Sequence, residues 1–200
     1  MFPDNSLAPD APKALFLPPT DVPRSPLEDL EYGGIALNDP SQGHLVQVWL
    51  AYRPLLETGI WVRPWDNSVP AVMVQDTGSN LARDIGLGFD QNMRPVVCWS
   101  DNGSVFLSWY DGTIPGVRVS SWPGRSPVVT LDDKRDDSTT QGTNDVLLLY
   151  MDGIDMKMRR QRDRYETEFI LASPGEFARI NRAGMNRALR LQIEVEGATA

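Results

Sequence analysis

Four aspartates lie near the ends of predicted strands, where a pair of carboxylates could cleave a glycosidic bond. They are Asp76, Asp90, Asp101 and Asp111. Retaining glycosidases need two carboxylates about 5 Å apart, and inverting enzymes need a wider pair. Aspartates at turns also have a plain structural role, because the side chain hydrogen-bonds the backbone of its own turn. Nothing in the sequence pairs any two of the four, so we predict no catalytic residue and keep glycan cleavage only as an alternative.

Other catalytic and metal-binding chemistries lack the residues that they need. His44 is the only histidine and Cys98 the only cysteine. These two residues cannot provide the four Cys or His ligands of a structural zinc site, and a single cysteine cannot form an internal disulfide. No G-x-S-x-G sequence is present to hold a nucleophilic serine. The acidic segment 132–142 does not match the spacing of an EF-hand loop, so we expect no metal and no cofactor.

Tryptophan is the residue type that most invites a binding function. The chain contains six tryptophans, of which Trp61 lies near a strand end and Trp65 lies in a proline-rich loop. Exposed indole rings at these two positions could stack on sugars. Tryptophan also fills β-sheet cores and subunit interfaces. The sequence favours the core and interface role, and a carbohydrate-binding module that recognises host glycans is the first alternative function.

One concentrated basic segment stands out in an acidic chain. Its sequence is KMRRQRDR, and its cationic residues are Lys157, Arg159, Arg160, Arg162 and Arg164. Such a run can bind nucleic acid or an acidic patch on a protein partner. The whole chain has 19 Lys and Arg against 27 Asp and Glu, which gives a formal charge of −8. Because nucleic-acid affinity comes from clustered positive charge, the sequence favours a protein partner for this segment.

The first 43 residues form a distinct zone that contains eight of the sixteen prolines. Each proline fixes its φ angle and removes an amide donor, so neither a helix nor a central strand can pass through this zone. We therefore predict an extended proline-rich arm over residues 1–43, followed by a β domain over residues 44–200. An arm with so little local structure becomes ordered when it lies along another surface. Its anchors on a partner would be the apolar residues Leu15, Phe16, Leu17 and Tyr32.

From residue 44 onward, short runs of apolar and β-branched residues alternate with turn-forming residues, which predicts antiparallel strands. The strongest hairpin signal is Asn102-Gly103, because both central residues of a type I′ turn need positive φ. The strand that follows, 105–110, is apolar on both faces and is predicted to be covered on both sides. A single short helix is predicted at 176–181, where Ser173, Pro174 and Glu176 provide a start signal.

Three multi-strand units, at about 45–75, 87–131 and 144–195, have the length of propeller blades. Three such blades do not close a ring. The predicted fold class is therefore all-β: an antiparallel meander or sandwich, a barrel, or partial propeller-like sheets, with at most one short helix.

The amino terminus lacks the basic and apolar regions of a secretory signal. No apolar run in the sequence reaches the length of about 20 residues that spans a bilayer. We therefore expect a protein that is made in the cytoplasm and that has no membrane span.

Parts of the chain resemble structural tail proteins of tailed bacteriophages. The resemblance lies in the general sequence character of three segments, 94–110 (RPVVCWSDNGSVFLSWY), 145–171 and 182–195 (RAGMNRALRLQIEV). Within this class, the segments resemble the nozzle and adaptor proteins of short-tailed phages, which carry propeller-like β repeats. The resemblance implies a non-catalytic virion component of the tail or head-to-tail region. Its partners would be other virion proteins and copies of itself, and its arm would clasp a neighbour.

Overall fold

The computed structural model describes residues 33–37, 48–54, 57–64, 70–90, 94–111, 117–132, 145–185 and 191–197. Within these ranges the regular structure consists of β-strands and a 3-10 turn at Gln161–Asp163. The strands are antiparallel throughout, so the predicted all-β class is confirmed.

The strands form four sheets, and in each sheet the strands that follow one another in the chain lie side by side. Sheet I contains β1 (Gly33–Leu37), β2 (Val48–Tyr52), β3 (Gly59–Pro64) and β4 (Val72–Asp76). Sheet II contains β5 (Arg83–Phe89), β6 (Pro95–Asp101), β7 (Ser104–Trp109) and β8 (Arg118–Pro123). Sheet III contains β9 (Arg125–Asp132), β10 (Asp145–Asp152), β11 (Asp155–Arg160) and β12 (Phe169–Ala172). Sheet IV contains β13 (Arg179–Met185) and β14 (Leu191–Glu196).

The four sheets are stacked face to face, with a hydrophobic cluster in each gap between neighbours. Between sheets I and II the cluster contains Ile60 and Trp99, and between sheets II and III it contains Leu107 and Leu148. Between sheets III and IV it contains Met151 and Ile180. The first strands lie next to each other, because β1 contacts β5, β5 contacts β9 and β9 contacts β13. Consecutive meanders that share this inner edge are arranged like the blades of a propeller, which matches the partial propeller-like alternative.

The strand after the Asn102-Gly103 turn lies at the centre of the stack. On β7, Val105 and Leu107 belong to the cluster between sheets II and III. Phe106, which points to the opposite face, packs against the cluster between sheets I and II. Period-2 alternation puts neighbouring side chains on opposite faces. The predicted cover on both sides of this strand is therefore confirmed.

The turn between β6 and β7 has the predicted chemistry. Asn102 has a φ of 46° and Gly103 a φ of 76°, the two positive values that a type I′ turn needs. Asp101 and Ser104 face each other as the last pair of the ladder. The local sequence thus determines both the position and the register of this hairpin.

The division of the chain into units differs from the prediction. The segment around Val128, which was predicted to end the central unit, is part of β9 in sheet III. The change of sheet occurs at Gly124, whose φ is 151°. A Cβ on Gly124 would lie 2.7 Å from the carbonyl oxygen of Met151, so the backbone itself packs against β10. A Pro-Gly pair that looks like a hairpin turn is instead the corner between two sheets, and the predicted unit at 144–195 is likewise split between sheets III and IV.

The short helix predicted at 176–181 is wrong, since β13 begins at Arg179. Ser173 does not cap a helix, because its Oγ donates to Asp155 Oδ1 at 2.6 Å. Gly175, which would occupy the first helical turn, has a φ of 118°, far from the helical value near −63°. The start signal instead serves a turn that leads into sheet IV.

Strand β1 lies inside the range that was predicted as the arm, and it pairs with β2 from Gly33 to Leu37. The anchors predicted for the arm, Leu15, Phe16, Leu17 and Tyr32, lie outside the described residues. The prediction of an extended partner-binding arm therefore stays a prediction.

Two arginines tie sheet IV to the sheets before it. Arg125 donates to the carbonyl oxygens of Gly153 and Ala178, each at 3.1 Å. Arg179 forms an ion pair with Asp84 at 2.8 Å, although the two residues are 95 positions apart. Asp84 also accepts a hydrogen bond from Ser100 Oγ at 2.9 Å. The first strands of sheets II, III and IV are thus linked at one end by polar contacts.

Candidate interaction surfaces

The four aspartates that could have formed a glycosidase pair are spread over the fold. Asp76 ends β4 in sheet I, Asp101 ends β6 in sheet II, and Asp90 and Asp111 follow strands β5 and β7 of sheet II. Asp90 and Asp111 lie at one end of that sheet and Asp101 at the other, with β6 between them. The seven residues of β6 span about 20 Å, which exceeds the roughly 10 Å limit of a glycosidase pair. Asp101 therefore cannot act together with Asp90 or Asp111.

Three of these aspartates have structural partners. Asp76 accepts hydrogen bonds from Thr58 Oγ1 at 2.6 Å and from the Gly78 amide at 3.0 Å. These bonds, the Thr58 bond first, lower the pKa of Asp76. Asp90 accepts from the Arg94 amide at 2.9 Å across the turn between β5 and β6. These contacts are those of turn-forming residues.

The third, Asp111, lies between two arginines. Its side chain is 1% exposed, 2.9 Å from Arg164 and 3.6 Å from Arg118. Two guanidinium groups compensate its charge, which a buried carboxylate requires. Asp111 thus connects sheet II to the segment that follows β11.

The basic segment KMRRQRDR surrounds an acidic residue that sequence reasoning did not connect to it. Glu168 Oε1 is 2.8 Å from Lys157 Nζ, and Glu168 Oε2 is 2.6 Å from Arg159 Nη2. Lys157 also contacts Asp152 at 2.7 Å. Hydrogen bonds from Lys157 and then Tyr150 lower the pKa of Glu168 to about 2. The bonds with Asp152 and Glu168 raise the pKa of Lys157.

Arg159 extends this network into the gap between sheets II and III. Its Nε donates to Tyr150 Oη at 2.9 Å, and its Nη1 donates to the Tyr165 carbonyl at 2.9 Å. Its guanidinium carbon lies 4.7 Å from the centre of the Trp122 ring, a cation–π distance. Burial is the main cause that raises the pKa of Tyr150 to about 12. The buried Arg159 side chain thus connects Trp122 of β8 with Tyr150 of β10.

The remaining cations of the segment lie at its far end. Arg160 pairs with Asp163 at 3.2 Å, and Arg164 pairs with Asp111. Arg162 is the exposed member of the five. Most of the positive charge predicted to meet a partner is therefore matched by acids of the same chain. The role of the segment in binding a protein partner stays a prediction.

Of the two tryptophans proposed to stack on sugars, Trp61 is described and Trp65 lies outside the described residues. Trp61 is partly buried and packs against the cluster formed by Leu50 and Tyr52. Its Nε1 lies 2.9 Å from the position that a Cβ on Gly59 would take. The missing side chain of Gly59 thus makes room for the indole. Sugar stacking by Trp61 stays a prediction.

The other aromatic rings of sheet II serve the core. Trp99 stacks on Phe106 with ring centres 5.4 Å apart. Trp109 meets Tyr165, which lies in the connection between β11 and β12, edge to face at 5.1 Å. Aromatic pairs in these geometries contribute beyond their buried area. Packing between sheets therefore explains why Trp99 and Trp109 are present in sheet II.

The last strands of the three four-stranded sheets carry exposed apolar side chains, which sequence reasoning missed. On β4, Val72 is 63% and Met73 48% exposed. On β8, Val119 is 38% exposed, and on β12 the values are 63% for Ile170 and 38% for Leu171. The sequence shows these segments as short apolar runs. It does not indicate which strands lie at the edge of a sheet, so the exposure of their side chains could not be predicted.

Within the described ranges, no group of three or more His, Cys, Asp or Glu residues is placed to hold a metal ion. The same part of the chain contains no helix long and apolar enough to cross a bilayer. Neither a family model, nor a curated protein, nor a solved structure matches the chain. The function must therefore be argued from the fold and its surfaces.

Proposed function

We propose that this chain is a non-catalytic structural component of a tailed-phage virion, in the tail or head-to-tail region, where it works in multiple copies. The observation that carries the proposal is the set of apolar edges. Sheets I, II and III each end in a strand with exposed apolar side chains, namely Val72, Val119 and Ile170 among others. Proteins that remain monomeric normally protect such edges with charge, proline or cover. Exposed apolar groups at open edges favour contacts with other subunits.

The interior of the stack supports a mechanical role. Sheets II and III are covered on both faces, and the buried Arg159 network braces the gap between them. Hydrogen bonds and ion pairs that connect several side chains in a low-dielectric interior make their arrangement more rigid. Such a body suits a component that transmits force and holds its shape within a particle.

The phage assignment rests on the sequence resemblance of 94–110, 145–171 and 182–195 to nozzle and adaptor proteins. The sequential four-stranded meanders agree with the propeller-like repeats that the resemblance implies. The proposed partners are other virion proteins and further copies of this chain, and the proposed location is the virion. Nucleic acid is a poor partner for a chain of charge −8 whose basic segment is largely matched internally.

The proposal is tested with the full chain by mass photometry over a concentration series, alone and mixed with virion proteins. We expect oligomers or mixed complexes, and we expect Ile170→Lys and Val72→Lys to weaken them. Ile154→Lys is the matched control, because Ile154 is 53% exposed but lies in the turn between β10 and β11. A chain that stays monomeric and joins no virion protein would overturn the proposal.

A second candidate is a carbohydrate-binding module, in which the partly buried Trp61, paired with the exposed Met73, would be one of the stacking residues. Indole rings at such positions stack on sugars. A glycan array with the full chain should then give a signal that Trp61→Ala or Trp65→Ala removes. If no glycan binds, this candidate is excluded.

A further inference from the structure

The outer face of sheet I, which points away from sheet II, is buried although this sheet ends the stack. On β2, Leu50 is 0% and Tyr52 1% exposed, and both belong to a separate cluster on this face. Arg63 lies directly opposite Leu50, hence on the same face, and it is 3% exposed. Large side chains on a sheet face that is open to water are not hidden so completely, so this face is covered.

The described part of the chain does not provide the cover. Among the described residues, the cluster on this face contains residues of sheet I and Ala71, which precedes β4. Sheet IV lies at the far end of the stack, because β1 contacts β5, β5 contacts β9 and β9 contacts β13. The cover therefore comes from residues outside the described ranges, of which 1–32 is the longest segment.

Burial on this face decreases with distance from β1. Tyr52 of β2 faces Gly33 of β1 on one side and Trp61 of β3 on the other. Trp61 in turn faces Met73 of β4. Tyr52 is 1% exposed, Trp61 is partly buried and Met73 is 48% exposed. The cover thus lies over the half of the sheet next to β1, in the row where residue 32 joins the sheet.

We infer that segment 27–32, whose sequence is LEDLEY, folds back over the outer face of sheet I in its own chain. The segment leads directly into β1 at Gly33. Six extended residues span about 20 Å, whereas four paired strands span about 14 Å, so the segment is long enough to cross the face. Because the face is buried within a single chain, no second copy is needed to cover it.

The chemistry of the segment matches that of the face. The face presents the apolar Leu50 and Tyr52 together with the guanidinium of Arg63, and a buried guanidinium is stabilised by nearby carboxylates. The segment supplies three apolar and three acidic side chains within six residues, whereas residues 1–26 contain only three acids in total. The apolar members are Leu27, Leu30 and Tyr32, and the acidic members are Glu28, Asp29 and Glu31.

This inference goes beyond the proposed function and does not depend on it. It assigns Tyr32, which was predicted to anchor the arm on a partner, to the chain's own sheet. The part of the arm that remains for a neighbour is 1–26, which contains the other predicted anchors, Leu15, Phe16 and Leu17.

The first experiment measures the accessibility of the face in the full chain. The thiol introduced by Leu50→Cys should react slowly with a maleimide, because position 50 is buried. Adding Leu27→Lys and Leu30→Lys should displace the segment and raise the labelling rate by about ten- to hundredfold. The native Cys98 is fully buried, and burial raises the pKa of its thiol to about 12, so its background reaction is slow.

Two controls belong to this experiment. Leu15→Lys with Leu17→Lys adds the same charges to the earlier part of the arm and should leave the labelling rate of Leu50→Cys unchanged. Met73→Cys, at a position that is 48% exposed, should react fast with every arm sequence. Hydroxyl-radical footprinting of Tyr52 gives the same readout without an introduced cysteine.

Other segments outside the described ranges are tested in the same way. Leu45→Lys lies in the connection between β1 and β2, and Val69→Lys lies in the connection between β3 and β4. Both connections leave the sheet at the end opposite Tyr52. If either variant, or the pair at Leu15 and Leu17, exposes position 50 while the pair at Leu27 and Leu30 does not, the inference is overturned.

The second experiment exchanges the charges. Arg63→Glu should raise the labelling rate of Leu50→Cys, because it places a carboxylate against an acidic segment. Changing Glu28, Asp29 and Glu31 together to lysine should lower that rate again. The matched control changes the three acids of 1–26, which are Asp4, Asp10 and Asp21, to lysine and should not lower it. Equal effects of the two lysine sets would overturn the assignment of segment 27–32.

A dilution series separates this inference from the proposed function. Protection of position 50 should be independent of concentration. Protection that is lost on dilution would show that a second copy supplies the cover, which overturns the inference while a structural role in a virion stands. Protection that persists in a chain that stays monomeric and joins no virion protein supports the inference and overturns the proposed function.

Discussion

Sheet II and sheet IV use the same antiparallel pairing, yet they bury their strands to different extents. Every residue from Val96 to Trp99 on β6 is at most 2% exposed, because sheet I covers one face and sheet III the other. On β14, partly buried and exposed side chains alternate. The difference teaches that an unbroken apolar run marks a strand between two sheets, whereas strict alternation marks a strand at the end of a stack.

The largest expected change in the free energy of unfolding comes from side-chain truncation in sheet II, compared with truncation in sheet IV. Trp109→Ala removes an indole that is 2% exposed and should lower the free energy of unfolding by about 3–5 kcal/mol. Ile193→Ala on sheet IV removes a partly buried side chain and should cost about 1–2 kcal/mol. Urea denaturation of the two variants and the parent chain measures both values. Equal costs would contradict the distinction between a sheet covered on two faces and one covered on one.

A second comparison concerns ion pairs. Arg159→Ala leaves Glu168 and Tyr150 without their buried partner, and should cost about 2–4 kcal/mol. Arg182→Ala breaks the pair with Glu194, in which the side chains are 66% and 48% exposed, and should cost less than about 0.5 kcal/mol. Thermal and urea unfolding of both variants test the contrast. A small loss for Arg159→Ala would show that the network between sheets II and III does not brace them.

The corner between sheets II and III gives the third prediction. In Gly124→Ala the new methyl group meets the Met151 carbonyl oxygen at 2.7 Å, and the φ of 151° disfavours a side chain. We expect a loss of about 2 kcal/mol in the free energy of unfolding. The control is Gly153→Ala, which has a φ of 57° but nothing within 4 Å of a Cβ, and should cost about 1 kcal/mol. If the two variants unfold alike, backbone contact at the corner is not what requires glycine.

The smallest effect is a pH dependence of the Glu168 network. The pKa of Glu168 is about 2 in the folded chain against an ordinary value of 4.5. A depressed folded pKa contributes stability that is present above pH 4.5 and is lost as the pH falls towards 2. After allowance for solvent screening of a side chain that is 32% exposed, the contribution is about 1 kcal/mol.

The measurement is urea denaturation of the parent chain and Glu168→Gln at pH 7 and at pH 2.5. The parent should be the more stable at pH 7, and the difference between the two should shrink at pH 2.5. Glu194→Gln on the exposed face of sheet IV serves as the control and should show no comparable change. A difference between parent and Glu168→Gln that is independent of pH would exclude an ionic contribution from Glu168.

The parts of the fold that local chemistry determines could be predicted from the sequence. The turn at Asn102-Gly103 follows from the need for positive φ, and the double cover of 105–110 follows from its apolar faces. The change of sheet at Gly124 could not be predicted in this way. A Pro-Gly pair serves a hairpin and a corner equally well, and the close approach to Met151 that decides between them arises only on packing.

The surfaces were harder to predict than the fold, because charge and exposure depend on distant partners. Lys157 and Arg159 form a basic run in the sequence, but Glu168 and Asp152 compensate them across hairpins. Asp111 receives Arg164 from a position 53 residues away. The exposure of Ile170 depends on β12 being the last strand of its sheet, a fact of topology that a local pattern does not contain.

The sequential order of the sheets has a consequence for how the chain folds during synthesis. Each sheet contains only consecutive strands, so each can form soon after its last strand leaves the ribosome, before the next sheet exists. The ion pair between Asp84 and Arg179 is not a contact within one sheet. It joins sheets II and IV, and its two residues are 95 positions apart in the chain. This ion pair can form only after sheet IV has been synthesised and has folded. It is therefore a late contact, and its formation indicates that the stack of sheets is complete.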